Sequence, residues 1–136
     1  MDKAKIVALA IVVIGIVVVM LTSNSEDKIR WKSYDEALEL SKKNNKYVFI
    51  YFYSETCPYC KLAEKVLNDE EVAKEIENRF IPVKTDELMR YSHFFKDQQR
   101  IGTPSFLILD SNGNAIDLRV GYMDKETFLK FISQYG

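Results

Sequence analysis

Hydrophobic residues are spaced along this 136-residue chain in three different rhythms. Residues 6–21 are apolar without a break, rich in Ile and Val, and follow Lys3 and Lys5. Residues 47–53, Tyr-Val-Phe-Ile-Tyr-Phe-Tyr, are a short β-prone run with almost no polar alternation, the pattern of a central strand covered on both faces. Elsewhere the spacing is helical. Tyr34, Ala37, Leu38 and Ser41 share one face of a helix expected from Tyr34 to about Lys43, residues 61–67 form an amphipathic run, and Val72, Ala73, Ile76 and Phe80 recur at i, i+3, i+4 spacing.

Punctuation residues divide these segments. Ser33-Tyr34-Asp35-Glu36 matches a capping box, and Asn44-Asn45 closes the helix with a residue type that tolerates the left-handed conformation. Asn68 or Asp69 caps a further helical segment, which is followed by a strand at 80–85. There Pro82, lacking a donor, points to an edge position or a strand end. Residues 87–100 have no clean period, although Leu88, Tyr91, Phe94 and Phe95 suggest a helix. Strands at 105–109 and 115–120 flank the Asp110-Ser111-Asn112-Gly113-Asn114 hairpin turn, Gly121 breaks the second, and Asp124 caps a final helix through Tyr135. The order is βαβ followed by ββα: an α/β fold with helices on both sides of a mixed sheet.

The N-terminal run is a separate physical object. At about 1.5 Å per residue it reaches about 24 Å, short of the roughly 30 Å hydrocarbon core. Snorkelling by Lys3 and Lys5, with Thr22 and Ser23 extending the other end, makes a span feasible. The reading is an uncleaved single-pass anchor, N-terminus cytoplasmic, with the remainder outside, in the periplasm. The alternative is a cleaved signal segment and secretion, for which only Ser23-Asn24-Ser25 approximates a processing site. The chain then divides into an anchor or signal segment at 1–22, a polar tether at 23–30 and one domain at 31–136.

With 47% hydrophobic residues there is material for one core, and a net charge of -1 gives no electrostatic case for nucleic acid. Two cysteines exclude a disulfide scaffold, and with the single His93 they do not make a four-ligand zinc site, so no metal or cofactor is assigned. A Cu(I)-binding metallochaperone is the non-enzymatic rival, since soft Cu(I) accepts two thiolates, but no Met- or His-rich stretch supports it.

Both cysteines lie in Cys57-Pro58-Tyr59-Cys60, between the 47–53 strand and a helix. A sulfur where a helix begins meets free amides and the positive end of the dipole, which favour the thiolate that disulfide exchange requires. Pro58 falls at the first helical position, where its missing N–H costs nothing. Cys60, one turn in, is expected to be less exposed. Cys57 is therefore assigned attack on a partner disulfide and Cys60 release of the mixed disulfide, and Tyr59 is placed on the working surface.

These features resemble the thioredoxin superfamily, over residues 31–136. The likeness rests on the strand–CPYC–helix junction, on Gly102-Thr103-Pro104 opening the third strand, and on the Asn112-Gly113 hairpin ahead of Gly121 and the last helix. With the N-terminal anchor, the chain most resembles membrane-attached extracytoplasmic thioredoxin-like proteins. The resemblance implies a thioredoxin-like fold and a cis Thr103-Pro104 bond facing the motif, where the Thr103 backbone pairs with an extended partner segment. Pro58, Tyr59, Thr103 and Pro104 thus form the substrate-binding set, and Cys57 and Cys60 the catalytic one.

The resemblance further implies a monomeric protein disulfide oxidoreductase. It would pass electrons between a cysteine-containing client protein and a membrane or soluble thiol donor, with reduction of the client as the favoured direction. Two departures stand out. Tyr51 occupies the position of the family's buried carboxylate, and Thr56 that of its tryptophan. Proton transfer then falls to water, to the surroundings of Lys61, or to Glu55 or Glu64 if either folds inward. The Pro-Tyr dipeptide is also similar to glutaredoxins, which keeps a glutathione-linked oxidoreductase as an alternative.

Overall fold

The computed structural model describes residues 2–21 and 27–136, so half of the 23–30 tether and the Ser23-Asn24-Ser25 site lie outside the described residues. Helix α1 spans Lys3–Leu21, with its side chains exposed through Val18. Among the described residues no helix is long and apolar enough to cross a membrane. Lys3 and Lys5 occupy the first turn of α1, and what remains is short for the hydrocarbon core.

The rest of the chain runs α2 (Tyr34–Asn44), β1 (Tyr47–Phe52), α3 (Pro58–Leu67), α4 (Glu70–Arg79), β2 (Phe80–Thr85), a 3₁₀ helix (Leu88–Phe95), β3 (Ser105–Leu109), β4 (Ala115–Val120) and α5 (Lys125–Ile132). The sheet order is β2-β1-β3-β4, with β1 parallel to β2 and antiparallel to β3. Strand β1 thus lies inside the sheet, and its unbroken hydrophobicity has a direct cause. Phe49 and Tyr51 face a cluster built with α3, α4 and α5, while Val48, Ile50 and Phe52 face Ala37 of α2 and Tyr91 and Phe95 of the 3₁₀ helix. Helices cover both faces, as expected.

Pro82 lies on the edge strand, opposite Phe49, and its carbonyl accepts from the Lys32 amide on the side away from β1. A missing N–H on that side breaks no bond to β1. The caps also follow the sequence. Ser33 Oγ accepts from the Glu36 amide at 3.3 Å, and Asn45 closes α2 at φ 51°. The β3–β4 turn uses Gly113 at φ 81°, with Asp110 Oδ1 accepting from the amides of Asn112 and Asn114, both at 2.9 Å.

The helix suggested within residues 87–100 is present as a 3₁₀ helix over Leu88–Phe95 that kinks at Tyr91. Burial of Tyr91 and Phe95 against β1, rather than amphipathic spacing, fixes its shape. Helix α5 stops at Ile132 instead of reaching Tyr135. The Tyr135 hydroxyl donates to Asp117 Oδ2 at 2.6 Å and its carbonyl accepts from Arg79 at 3.0 Å, which turns the chain off the helix axis.

Three capping carboxylates make the fold acid-sensitive. Asp69 is held below the usual carboxylate range by its hydrogen bond from Lys125 and by helix amides. Asp110 is lowered by the Asn114 amide, and Asp124 by the Thr127 hydroxyl and amide. A carboxyl whose pKa is lower folded than unfolded contributes stability above its unfolded value, and that contribution disappears as the pH falls through the folded one. Urea midpoints are expected to be flat from pH 7 to about 5 and to drop below about 4, and the Asp124→Asn variant to drop less steeply. A midpoint unchanged down to pH 2 would remove these caps from the account.

Candidate active site: a disulfide at the start of a buried helix

Strand β1 delivers the chain to the site. After Phe52, residues Ser54, Glu55 and Thr56 turn tightly, with the Cys57 amide donating to the Ser54 carbonyl at 3.2 Å. Cys57 is the N-cap of α3, extended at φ -93°, ψ 108°, and Pro58 sits in the first turn where a proline is tolerated. Cys57 and Cys60 are joined as a disulfide with their Cα atoms 5.2 Å apart. Their environments differ as the division of labour requires: Cys57 is half-buried, whereas Cys60 is 1% exposed. The Cys60 amide donates to Cys57 Sγ at 3.1 Å. On reduction, this N–H and the helix dipole face the Cys57 sulfur and stabilise its anion.

The second wall is the segment before β3. The Thr103-Pro104 bond is cis, and the Thr103 carbonyl oxygen lies 3.5 Å from Cys57 Sγ. The Gly121 amide donates to the Pro104 carbonyl at 2.8 Å, tying this segment to the end of β4. Thr103, expected from the resemblance, is thus brought against Cys57, and Pro104 follows it across the cis bond. Tyr59 is 62% exposed and flanks the same face, and Pro58 is exposed beside it.

Beneath the disulfide lies the departure from the thioredoxin pattern at Tyr51. Tyr51 is fully buried, and its hydroxyl donates to the Cys60 carbonyl at 3.2 Å. Burial, then the Glu64 carboxylate and Tyr53, push its phenol well above the ordinary tyrosine range. It therefore stays protonated at neutral pH and serves as a hydrogen-bond donor, not a base. Lys84 pairs with Tyr51 in the β1–β2 register, and its ammonium lies 4.9 Å from the Tyr53 ring centre and 2.7 Å from Glu64 Oε1. Of the carboxylates weighed from sequence, Glu64 folds inward onto Lys84 and Glu55 stays exposed in the turn. Trp31 covers this layer, its ring centre 6.2 Å from that of Tyr51.

His93 is exposed and packs on Phe94, ring centres 4.0 Å apart. Among the described residues no group of three or more His, Cys, Asp or Glu side chains is gathered that could hold a metal ion. The sequence reading missed Lys84, because only the strand register places it opposite Tyr51. It also missed Arg100, Ile101 and Tyr122, which line a depression running on from Thr103 and Pro104. Their one available signal was proximity in sequence to Pro104 and Gly121.

Comparison with known proteins agrees with this geometry. The thioredoxin-like domain family matches residues 34–136. An uncharacterised protein of Archaeoglobus fulgidus is 33% identical over 85 residues, covering 62% of this chain and 67% of that protein. The solution structure of a thioredoxin from Thermus thermophilus is 30% identical, with a TM-score of 0.66 over 79% of this chain and 86% of that one. A candidate disulphide isomerase of Bacteroides thetaiotaomicron is 26% identical, with a TM-score of 0.63 over 79% of this chain and 93% of that one. The fold is that of the thioredoxin-like disulfide oxidoreductases, and it holds a bonded cysteine pair at the start of a helix. The chain belongs to the thioredoxin-like domain family.

Proposed function

We propose that this protein is a thiol–disulfide oxidoreductase that reduces disulfides of partner proteins outside the cytoplasm. The observation that carries the reading is the disulfide itself, half-exposed at Cys57 and closed off at Cys60, with an amide already aimed at the outer sulfur. In the reduced protein the Cys57 thiolate attacks a client disulfide, forming a Cys57–client bond and releasing one client thiolate. The Cys60 thiolate then attacks Cys57 Sγ, closing the internal disulfide and releasing the second. Two electrons pass to the client, and each released thiolate takes up one proton. A thiol donor reopens the Cys57–Cys60 bond by the same exchange in reverse.

Kinship with a thioredoxin at 30% identity supports the reducing direction. The buried Tyr51 sets a condition on it: no carboxylate occupies that place on β1, so proton exchange at Cys60 relies on water or on the Glu64–Lys84 pair behind it. Equilibrating the purified chain against glutathione tests the direction. A potential near -270 mV, roughly that of thioredoxin, is expected, and one near -120 mV would make the protein an oxidant.

The location is part of the proposal. Exposed apolar side chains from Ile6 to Val18 behind two lysines support membrane attachment. At about 1.5 Å per residue α1 is about 28 Å long, close to the roughly 30 Å hydrocarbon core. Retention in the membrane pellet after alkaline carbonate extraction is expected. Release into the supernatant would sink the anchor.

A further inference from the structure

Beside the disulfide, a groove of about 500 Å³ opens between Tyr59 and Tyr122, passes Thr103 and Pro104, and ends at Ile101 and Arg100. Ile101 and Arg100 also line the next depression, of about 640 Å³, which extends to Lys96 and His93. The two share a wall and form one continuous surface leading away from Cys57. Its chemistry is unlike that of the chain as a whole. The protein carries 20 acidic and 19 basic residues, yet among the described residues no carboxylate lines these two depressions. The cations there are Arg100 and Lys96. Arg100 is exposed and makes no ion pair among the described residues. Asp97 lines a further depression that shares Arg100, Val120, Gly121 and Tyr122 with the groove, and it makes no ion pair with Arg100 among the described residues.

We infer that this surface selects client segments carrying a carboxylate close to the reactive cysteine, a substrate class that rests on the oxidoreductase reading above. The client is an extended protein segment. Its cysteine meets Cys57, its neighbouring apolar side chain packs between Tyr59 and Tyr122, and an Asp or Glu further along faces Arg100, with Lys96 beyond it. Tyr59 and Tyr122 are 62% and 41% exposed, large apolar surfaces left open on either side of the path. Arg100 suits the far end because its planar donors take a carboxylate in bidentate fashion. A rim charge of this kind acts chiefly on encounter and register, so the selectivity weakens as salt rises.

The test uses the reduced full-length chain and synthetic peptides bearing one cysteine as a mixed disulfide with a chromogenic thiol. Glu, Gln or Lys is placed two, three or four residues from that cysteine on either side. At one or more of these offsets the Glu peptide is expected to react faster than the Lys peptide, on the order of three- to tenfold in kcat/KM at low salt. Arg100→Glu is expected to invert that order, and Lys43→Glu, at the opposite end of β1, to preserve it. Oxidised glutathione, which has carboxylates but no flanking apolar residue, is expected to react more slowly than the Glu peptide. Equal rates for Glu and Lys peptides at every offset overturn the inference. So does an order that Arg100→Glu leaves unchanged, or glutathione outpacing all peptides. In each of those cases turnover itself persists and the oxidoreductase reading stands. Failure to reduce any peptide or insulin would sink that reading, and the inference with it.

Discussion

A Cys57→Ser variant is expected to lose protein-disulfide reduction by about three orders of magnitude or more, down to the background rate. A serine hydroxyl is not ionised near neutrality and cannot form the bond that carries the electrons, so aiming the Cys60 amide at it gains nothing. Cys60 cannot take over, because at 1% exposure it does not meet an incoming disulfide. The Cys60→Ser variant is expected to behave differently. Its Cys57 still attacks, but nothing resolves the product, and the protein stalls as a client-linked species that mass spectrometry detects and dithiothreitol removes. The decisive comparison is which variant accumulates that adduct. If Cys57→Ser traps client and Cys60→Ser does not, the two roles are exchanged.

Loss of the Phe49 ring has the second large effect, on stability instead of chemistry. Phe49 is fully buried at the centre of the sheet, with the rings of Phe80, Phe106 and Phe128 at 5.8, 6.0 and 5.9 Å. Those partners come from β2, β3 and α5, so a cavity here loosens three elements together. Phe49→Ala is expected to cost about 3–5 kcal/mol, against a total of about 5–15 for a domain of ordinary stability. Urea denaturation followed by circular dichroism measures it directly. Ile116→Ala on β4, where the side chain is 42% exposed, is expected to stay within about 0.5 kcal/mol. A Phe49→Ala loss no larger than that of Ile116→Ala would show that the aromatic cluster does not hold the layers together.

Much of the fold was legible because local chemistry and burial agree. The run around Phe49 is apolar on both faces, so β1 had to be interior, and Ser33, Asn45, Asp69, Gly113 and Asp124 each mark a boundary by a bond they make with nearby backbone. Two stretches lack that agreement. Leu88, Tyr91, Phe94 and Phe95 fit a helix only loosely, and the kinked 3₁₀ turn comes from what Tyr91 and Phe95 must fill beneath β1. Tyr135 keeps helical spacing, yet Arg79 and Asp117, distant in sequence, draw it away from α5.

At the candidate site the division is similar. The CPYC spacing, the proline at the first helical position and the capping sulfur are local, and so could be assigned before any coordinates. That Tyr51 is a hydrogen-bond donor to Cys60 depends on how α3 packs on β1, and that Lys84 stands beside it holding Glu64 depends on the β1–β2 register. The same holds for the surface from Tyr122 to Arg100, which joins the end of β4 to the segment before β3.

By itself, then, the order of residues determined which atoms can do chemistry and where helices and strands begin, since both are set by neighbours a few positions away. Only the folded chain decided what stands beneath the disulfide and what a client meets beside it. Those are contacts between separate elements, fixed by strand register and by the filling of one core.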